Sequence, residues 1–299
     1  MENKMNQIQA LQQQLSHCLK SEYDIGGELR FFSEGVDNAV FRLKDARLGQ
    51  LVIRTPWRAD EELETRSLEK EAQLTAYCSV HGIPVPTVHH LYLGAEIRFL
   101  VSELIESDQA LIDAEKMGRM IGAVHQMPVN NLKLVDQEDD PFEAIVAKRI
   151  ASRIVEVNQL TGRKLPILPT TFLQTILQSV KEKRVLLHLD VRRPNFLGQH
   201  GNIKALIDWD NAYVGSPVAE LMRISESAEI DEAAFLQGYP ESERLLQTKP
   251  IIQTIYRLDT ALMLVILFTL HEKDAGKAAH YLERVEQYCA EVKESINRR

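Results

Sequence analysis

Between Val185 and Asp208 the chain reads VLLHLDVRRPNFLGQHGNIKALID, and this stretch limits the possible folds more than any other. An apolar run, Val185-Leu186-Leu187, ends in polar His188 and Asp190, and Asn195 follows five positions after Asp190. Phe196-Leu197, a turn through Gly198-Gln199-His200-Gly201-Asn202, and Ile203 to Ile207 read as a hairpin. A hairpin returns the chain to where it began, so Asp208 is expected beside Asn195 although 13 positions separate them. The result is a cluster of Asp, Asn and Asp oxygens at strand ends. Hard oxygen donors of this kind suit Mg²⁺, which takes a few carboxylates and fills its shell with water and phosphate. Asp190 is left over as a general base. Metal, base and positioning together match the needs of phosphoryl transfer.

The flanking sequence sorts into two characters. Ile8, Leu11, Leu15 and Leu19 recur at helical spacing. Arg30–Ser33, Ala39–Leu43 and Leu51–Arg54 read as short strands, separated by Gly35-Val36-Asp37-Asn38 and by a Gly49-containing turn. A charged helix is expected from about Asp60 to Val80, ended by His81-Gly82 and by Pro84 and Pro86. Strands at Thr87–Leu93 and Ile97–Leu104 follow. Beyond Ser107 the pattern turns helical. Met117, Met120, Ile121 and Val124 share one face, and Pro128 closes that helix. Asp140-Pro141 reads as an N-cap acid followed by proline in the first turn. The helix it opens turns Phe142, Ile145, Val146, Ile150, Ile154 and Val155 inward. Another helix is expected over Phe172–Lys181, and everything after Val218 reads helical. The expected fold class is therefore α+β, with an N-terminal lobe over residues 1–104 and a larger, mainly helical lobe over residues 105–299.

Charge and cysteine usage narrow the setting. The 299 residues carry 35 Lys+Arg against 43 Asp+Glu, a net charge of −8, which argues against nucleic acid or an anionic membrane as partner. Cys18, Cys78 and Cys289 are odd in number and form no CxxC or Cys/His pattern, so neither a disulfide framework nor a structural zinc site is expected. The N-terminus has no apolar signal block. The longest apolar run, Ala261 to Phe268, falls short of the roughly 20 residues of a spanning helix and reads as a buried one. The expected location is cytoplasmic.

His188-x-Asp190-x₄-Asn195, followed by a hairpin and Ile207-Asp208-Trp209, resembles the catalytic and metal motifs of the aminoglycoside phosphotransferase family. The resemblance continues upstream in order. Leu51-Val52-Ile53-Arg54 is similar to the strand that carries the phosphate-binding lysine of kinases, and Glu71 to the helix glutamate that pairs with it. Gly35-x-x-Asn38 resembles a shortened phosphate loop, and Phe99-Leu100-Val101-Ser102-Glu103 the strand into the adenine hinge. The resemblance implies a protein-kinase-like bilobal fold with the nucleotide between the lobes. Adenine would hang from the backbone near Glu103–Ile105, and Arg54, held by Glu71, would orient the phosphates of ATP or GTP. Asn195 and Asp208 would bind Mg²⁺, and Asp190 would take the proton of an acceptor hydroxyl. An aminoglycoside-type or other antibiotic is the first acceptor this suggests, which would make the enzyme a resistance factor. A sugar, choline or an amino-acid alcohol is the alternative, and a nucleotide-binding scaffold without transfer activity is the reading from another class.

Three departures stand out. Arginine occupies position 54, Leu189 stands beside the base where this family usually has glycine, and Pro194 comes one place late after Arg192-Arg193. Arginine grips phosphate as a fork but is not equivalent to lysine, and a leucine beside the base is expected to narrow substrate approach. Asp210 is a further candidate for metal or substrate, with a solvated acid as the plainer reading. Glu226, Glu229, Asp231 and Glu232 are candidates for a cationic-acceptor pocket, against helix-surface charge. His188 and His125 read as structural. His89 and His90 are adjacent on a strand and point to opposite faces, which argues against a shared ligand role.

Overall fold

A computed structural model describes residues 2–35, 38–57, 62–108 and 110–298. The chain resolves into two compact units. The first comprises Met1–Ile112, Lys133–Asp136 and Pro194–Asn211, and the second Asp113–Leu132, Gln137–Arg193 and Ala212–Arg299. The first unit thus runs past the expected boundary at Leu104 and takes in the 194–211 hairpin segment.

In the first unit, helix α1 (Glu2–Tyr23) leads into strands β1 (Arg30–Glu34), β2 (Asn38–Asp45) and β3 (Gly49–Pro56), helix α2 (Glu62–Val80), and strands β4 (Val88–Leu93) and β5 (Arg98–Glu103). The five strands form one antiparallel sheet in the order β1-β2-β3-β5-β4. Strand periodicity of two decides what each face meets. Phe41, Leu43, Leu51, Ile53, Phe99 and Val101 share one face and bury against Leu15 and Leu19 of α1. Fully burying such a side chain contributes about 1.5–3 kcal/mol. Arg54 falls on the opposite face by the same alternation, paired in register with Val40 and Leu100. The expected start of α2 at Asp60 and the Val36-Asp37 tip of the first turn lie outside the described residues.

The first unit also holds strands β7 (Phe196–Gln199) and β8 (Asn202–Leu206), a hairpin entered through a 3-10 turn at Arg193–Asn195. It is fastened locally: Leu206 N donates to Pro84 O at 2.9 Å and Asp108 N to Gly198 O at 3.2 Å.

The second unit contains α3 (Ala114–Gln126), α4 (Phe142–Thr161), α5 (Thr170–Leu177), the short ladder of β6 (Val185–Leu187) with β9 (Tyr213–Gly215), then α6 (Pro217–Ser227), α7 (Glu232–Gly238), α8 (Ser242–Leu246), α9 (Pro250–Ile266) and α10 (Ala275–Asn297). Helices α3 and α7 approach so closely that a Cβ on Gly118 would sit 2.0 Å from Phe235 O. Glycine is what permits that contact. The apolar run in α9 is largely interior: Ala261, Leu262, Leu264 and Val265 are buried, and α9 packs on α4, α6 and α10. The segment Pro250–His271 is long and apolar enough to cross a membrane by length and composition, and 61% of its window is buried inside the protein.

Two local expectations are corrected. The N-cap of α4 is Pro141, in an extended conformation and without a side-chain cap bond, because Asp140 engages Lys148 instead. Val155, expected inward on that helix, is 45% exposed.

Candidate active site

The basic residue on β3 and the acids around it converge within the first unit. Arg54 Nη2 donates to Asp210 Oδ1 at 3.0 Å and to Ser67 Oγ of α2 at 3.3 Å. Its Nε is buried with no hydrogen-bond partner among the described residues. Burial alone would lower the guanidinium's pKa, but Glu71 and then Asp210 outweigh it and raise the value above the ordinary range. Burial pushes the Glu71 carboxyl up, and Arg54 pulls against it.

Glu71 does not hold Arg54 by a hydrogen bond, as the sequence pattern implied. Its Oε2 accepts the backbone N–H of Trp209 at 2.8 Å, while its charge acts on Arg54 through space. The hydrogen-bonded carboxylate partner is Asp210. The neighbouring Lys70, 3% exposed, reinforces the same loop: its Nζ donates to Asp210 O at 2.9 Å and to Asp136 Oδ2 at 2.8 Å. Asp210 and Lys70 are the site residues underweighted from sequence. Only Asp210's place two residues after Asp208 could have signalled it, and lysine within a charged helix carries no signal of burial.

Asn195 and Asp208 come together as the hairpin predicts. Ile207 N donates to Asn195 O at 3.0 Å, so the two residues occupy adjacent strand ends. Asn195 is 3% exposed. Asp208 is held at φ +70°, a conformation that costs a non-glycine residue free energy unless neighbours enforce it. Glu71, gripping the next amide, is such a neighbour. One amide oxygen and one carboxylate oxygen fit Mg²⁺ that arrives with phosphate ligands. No group of three or more His, Cys, Asp or Glu able to hold a metal occurs among the described residues, so the donor set is not that of an all-protein cage.

Gly35 and Asn38 close one turn: Gly35 N donates to Asn38 O at 2.8 Å, and Gly35 O accepts from Trp57 Nε1 at 3.3 Å. The Oδ1 of Asn38 is buried with no hydrogen-bond partner among the described residues. Glu103 ends β5. Its amide donates to Thr87 O and that of Leu104 to Gln50 O, at 2.8 and 2.9 Å. Among the described residues the Ile105 amide has no such backbone acceptor.

Asp190 belongs to the second unit. Its carboxylate is partly exposed, and Arg192 Nε donates to its Oδ2 at 3.0 Å. The backbone before it is pinned by Glu220, a fully buried residue of α6. Glu220 accepts from His188 N at 2.8 Å and Leu189 N at 2.5 Å, and from His125 Nε2 at 3.1 Å. Burial would raise the Glu220 carboxyl, but His125 and the His188 amide hold it below the usual range. His125 Nδ1 meets Tyr239 Oη at 2.6 Å, which confirms its structural role. Leu189 sits at φ +57° and is 6% exposed. His90 stacks on Tyr23 with ring centroids 4.1 Å apart.

Two of the four acids proposed for a cationic pocket are engaged elsewhere. Glu226 is buried and held by Arg284 Nη2 at 2.8 Å, by Tyr288 Oη at 2.7 Å and by Arg257 at 3.5 Å. Asp231 caps α7 by accepting from Ala234 N at 3.1 Å.

A family model described as the phosphotransferase enzyme family matches residues 28–249. Among solved structures, the chain is similar to a putative fructosamine-3-kinase from Haemophilus somnus 129PT, with 16% identity, TM-score 0.67, and coverage of 95% of this chain and 98% of that one. It is similar to the macrolide 2'-phosphotransferase MphH from Brachybacterium faecium at 18% identity and TM-score 0.61, covering 91% and 97%. A thermostable mutant of aminoglycoside phosphotransferase APH(4)-Ia, in ternary complex with AMP-PNP and hygromycin B, matches at 13% identity and TM-score 0.63, covering 92% and 97%. No curated protein matches the chain by sequence.

Proposed function

The chain belongs to the phosphotransferase enzyme family, and we propose that it is a small-molecule kinase moving the γ-phosphoryl group of ATP or GTP onto an acceptor hydroxyl. The observation that carries this reading is the convergence of Arg54, Glu71, Asp208 and Asp210 from a strand, a helix and the loop after a hairpin. Ordinary surface polarity has no need of a buried strand arginine balanced by two acids beside a left-handed aspartate.

In this reading Arg54 binds the donor phosphates, and the exposed end of β5, at Glu103 to Ile105, receives the base. The Gly35–Asn38 turn covers the phosphates. Asn195 and Asp208 would hold Mg²⁺, which would supply neutralisation of the phosphate charge. Asp190 accepts the acceptor's hydroxyl proton. The acceptor oxygen forms its bond to the γ-phosphorus as the bond to the β-phosphate oxygen breaks, and a nucleoside diphosphate leaves. Positioning and charge neutralisation supply most of the rate. A scaffold without transfer activity would have no use for Asp190, Asn195 and Asp208 together. The reaction belongs to the cytoplasm, where nucleoside triphosphates are abundant and three unpaired cysteines stay reduced.

Of the two acceptor classes, we favour a metabolic alcohol over an aminoglycoside-type antibiotic, because two of the four candidate acids, Glu226 and Asp231, are already engaged within the second unit. Transfer of ³²P from γ-labelled ATP and GTP to a panel of aminoglycosides, macrolides and small alcohols tests the reading. The expected result is label on a metabolic alcohol and a loss of about 10²–10⁴ in kcat for Asp190→Asn with the fold retained. Near wild-type turnover in that variant would remove Asp190 from the base role.

A further inference from the structure

The second unit holds a cavity of about 270 Å³ where α4, α5 and α9 pack together. It lies at the end of β6 away from Asp190. Arg184, which lines it, precedes β6, and Ser216 follows the partner strand β9, whereas Asp190 comes after the far end of β6. Leu177, Val180 and Ile252 give it an apolar wall. Glu143 of α4, Glu182 and Tyr256 of α9 supply its polar groups. Asp190 is not among the residues that line it.

Glu143 is the unusual member. It is 3% exposed. Its Oε1 accepts from Arg184 Nη2, and that guanidinium also lies over the Phe142 ring, 5.9 Å from the centroid. Its Oε2 is buried with no hydrogen-bond partner among the described residues. A buried carboxylate oxygen without a donor is costly, and folded proteins rarely leave one so. The first turn of a helix favours an acid, and Glu143 lies in the first turn of α4. That place and the Arg184 tie account for the charge and for one oxygen, and leave the other unexplained. Glu182 adds a second carboxylate. It accepts from Ser216 Oγ and, at 3.1 Å, from Thr248 Oγ1, both neutral donors. Burial first, and then Glu143 and Glu182, push the Tyr256 hydroxyl up against the pull of Ser216, so both acids act on the same wall. Two carboxylates thus face one paired guanidinium. The other cation at the cavity, Lys181, is exposed and screened by solvent.

We infer that this cavity is a second small-molecule site, separate from the phosphoryl-transfer chemistry, and that it takes a small organic ammonium compound. The ammonium donates to Glu143 Oε2 with Glu182 as the further counter-charge, and its carbon body covers Leu177, Val180 and Ile252. An ammonium group has three donors and no acceptor, which is what an orphaned carboxylate oxygen needs. Hydrogen bonds between two charged groups are also the strong ones. A bare divalent ion would want several oxygens around it, and no group of three acids able to hold one occurs among the described residues. The volume falls just below the roughly 300–1,000 Å³ of pockets for drug-sized ligands. The occupant is therefore a compact amine and not a polycationic antibiotic.

The test is calorimetric titration of the full chain with n-butylammonium and cyclohexylammonium, with the matching alcohols, with butyrate and with KCl. Wild type, Glu143→Gln and Val180→Trp are compared. At least one ammonium is expected to bind about tenfold or more tightly than its alcohol, than butyrate and than K⁺. Glu143→Gln keeps the shape of the side chain and removes its charge, and is expected to weaken that binding about tenfold or more. Val180→Trp fills the cavity from a half-buried wall without altering either acid, and is expected to abolish it. Should Glu143→Gln not fold, Val180→Trp decides. Binding of neither ammonium overturns the inference, as does equal or tighter binding of the alcohol, of butyrate or of K⁺. An unchanged affinity in either folded variant also overturns it, because the ammonium then sits elsewhere on the protein.

Discussion

Arg54 on β3 and Asp210, 156 positions later in the chain, share a hydrogen bond of 3.0 Å. The pair is partly buried, with side-chain exposures of 17% and 32%, so screening is weaker than for a surface ion pair. Asp210 thereby sets the direction of the guanidinium, and Lys70 fixes the Asp210 backbone from below. Asp210→Asn is expected to raise the nucleotide KM about three- to tenfold with a smaller effect on kcat, because it disturbs binding more than the reacting atoms. Arg54→Ala is expected to raise it further. Steady-state kinetics at varied nucleotide concentration checks both, and an unchanged KM in Asp210→Asn would leave the pair a purely structural one.

Glu220 is the second buried anchor. Replacing it with alanine strips acceptors from the amides of His188 and Leu189 and from His125 at once. Removing one member of such a buried charged arrangement costs about 3–5 kcal/mol. The left-handed turn at Leu189, worth about 1–2 kcal/mol of strain, then loses its restraint. Urea unfolding is expected to show that loss for Glu220→Ala. Glu220→Gln keeps acceptor capacity on one oxygen and should lose less stability, with kcat falling while nucleotide affinity stays unchanged, since Asp190 is the residue just beyond.

Asp45 gives a pH dependence of definite sign. Hydrogen bonds from the amides of Gly26, Leu48 and Arg47, at 3.0, 2.9 and 2.8 Å, hold its carboxyl down at about 2. An unfolded aspartate titrates near about 3.9. Its stabilisation is therefore complete above about pH 5 and is lost as the pH falls through the unfolded and then the folded value. Asp45→Asn is expected to lower the urea midpoint at pH 7, and the gap to the wild type should narrow from pH 5 downwards. A gap independent of pH would mean that the loss in Asp45→Asn comes from packing and hydrogen-bond geometry and not from the carboxylate's charge.

The cysteines should separate by reactivity. Burial pushes the thiols of Cys78 and Cys289 up to about 12, and both are almost fully covered. Cys18 is only partly covered. Since the thiolate is the nucleophile, a disulfide reagent at pH 7.5 is expected to label Cys18 first, and the other two only at the rate of unfolding. Cys18→Ser should abolish the fast phase.

Much of this protein was legible in the order of its residues. Alternation at Phe41, Leu43, Leu51 and Ile53 marks strands and places Arg54 on the face away from α1. The hairpin from Phe196 to Leu206 brings Asn195 and Asp208 together without reference to the rest of the chain. These are local consequences of periodicity and turn chemistry, so the sequence by itself determines them. Tertiary structure alone decided which charges meet. It gave Arg54 to Asp210 rather than to Glu71, turned Glu71 onto the Trp209 amide, buried Lys70, and left one oxygen of Glu143 without a partner among the described residues. The reason is physical. A charged side chain carries no periodic signal of its partner, and its energy depends on burial and on neighbours from distant elements, which only packing brings within range.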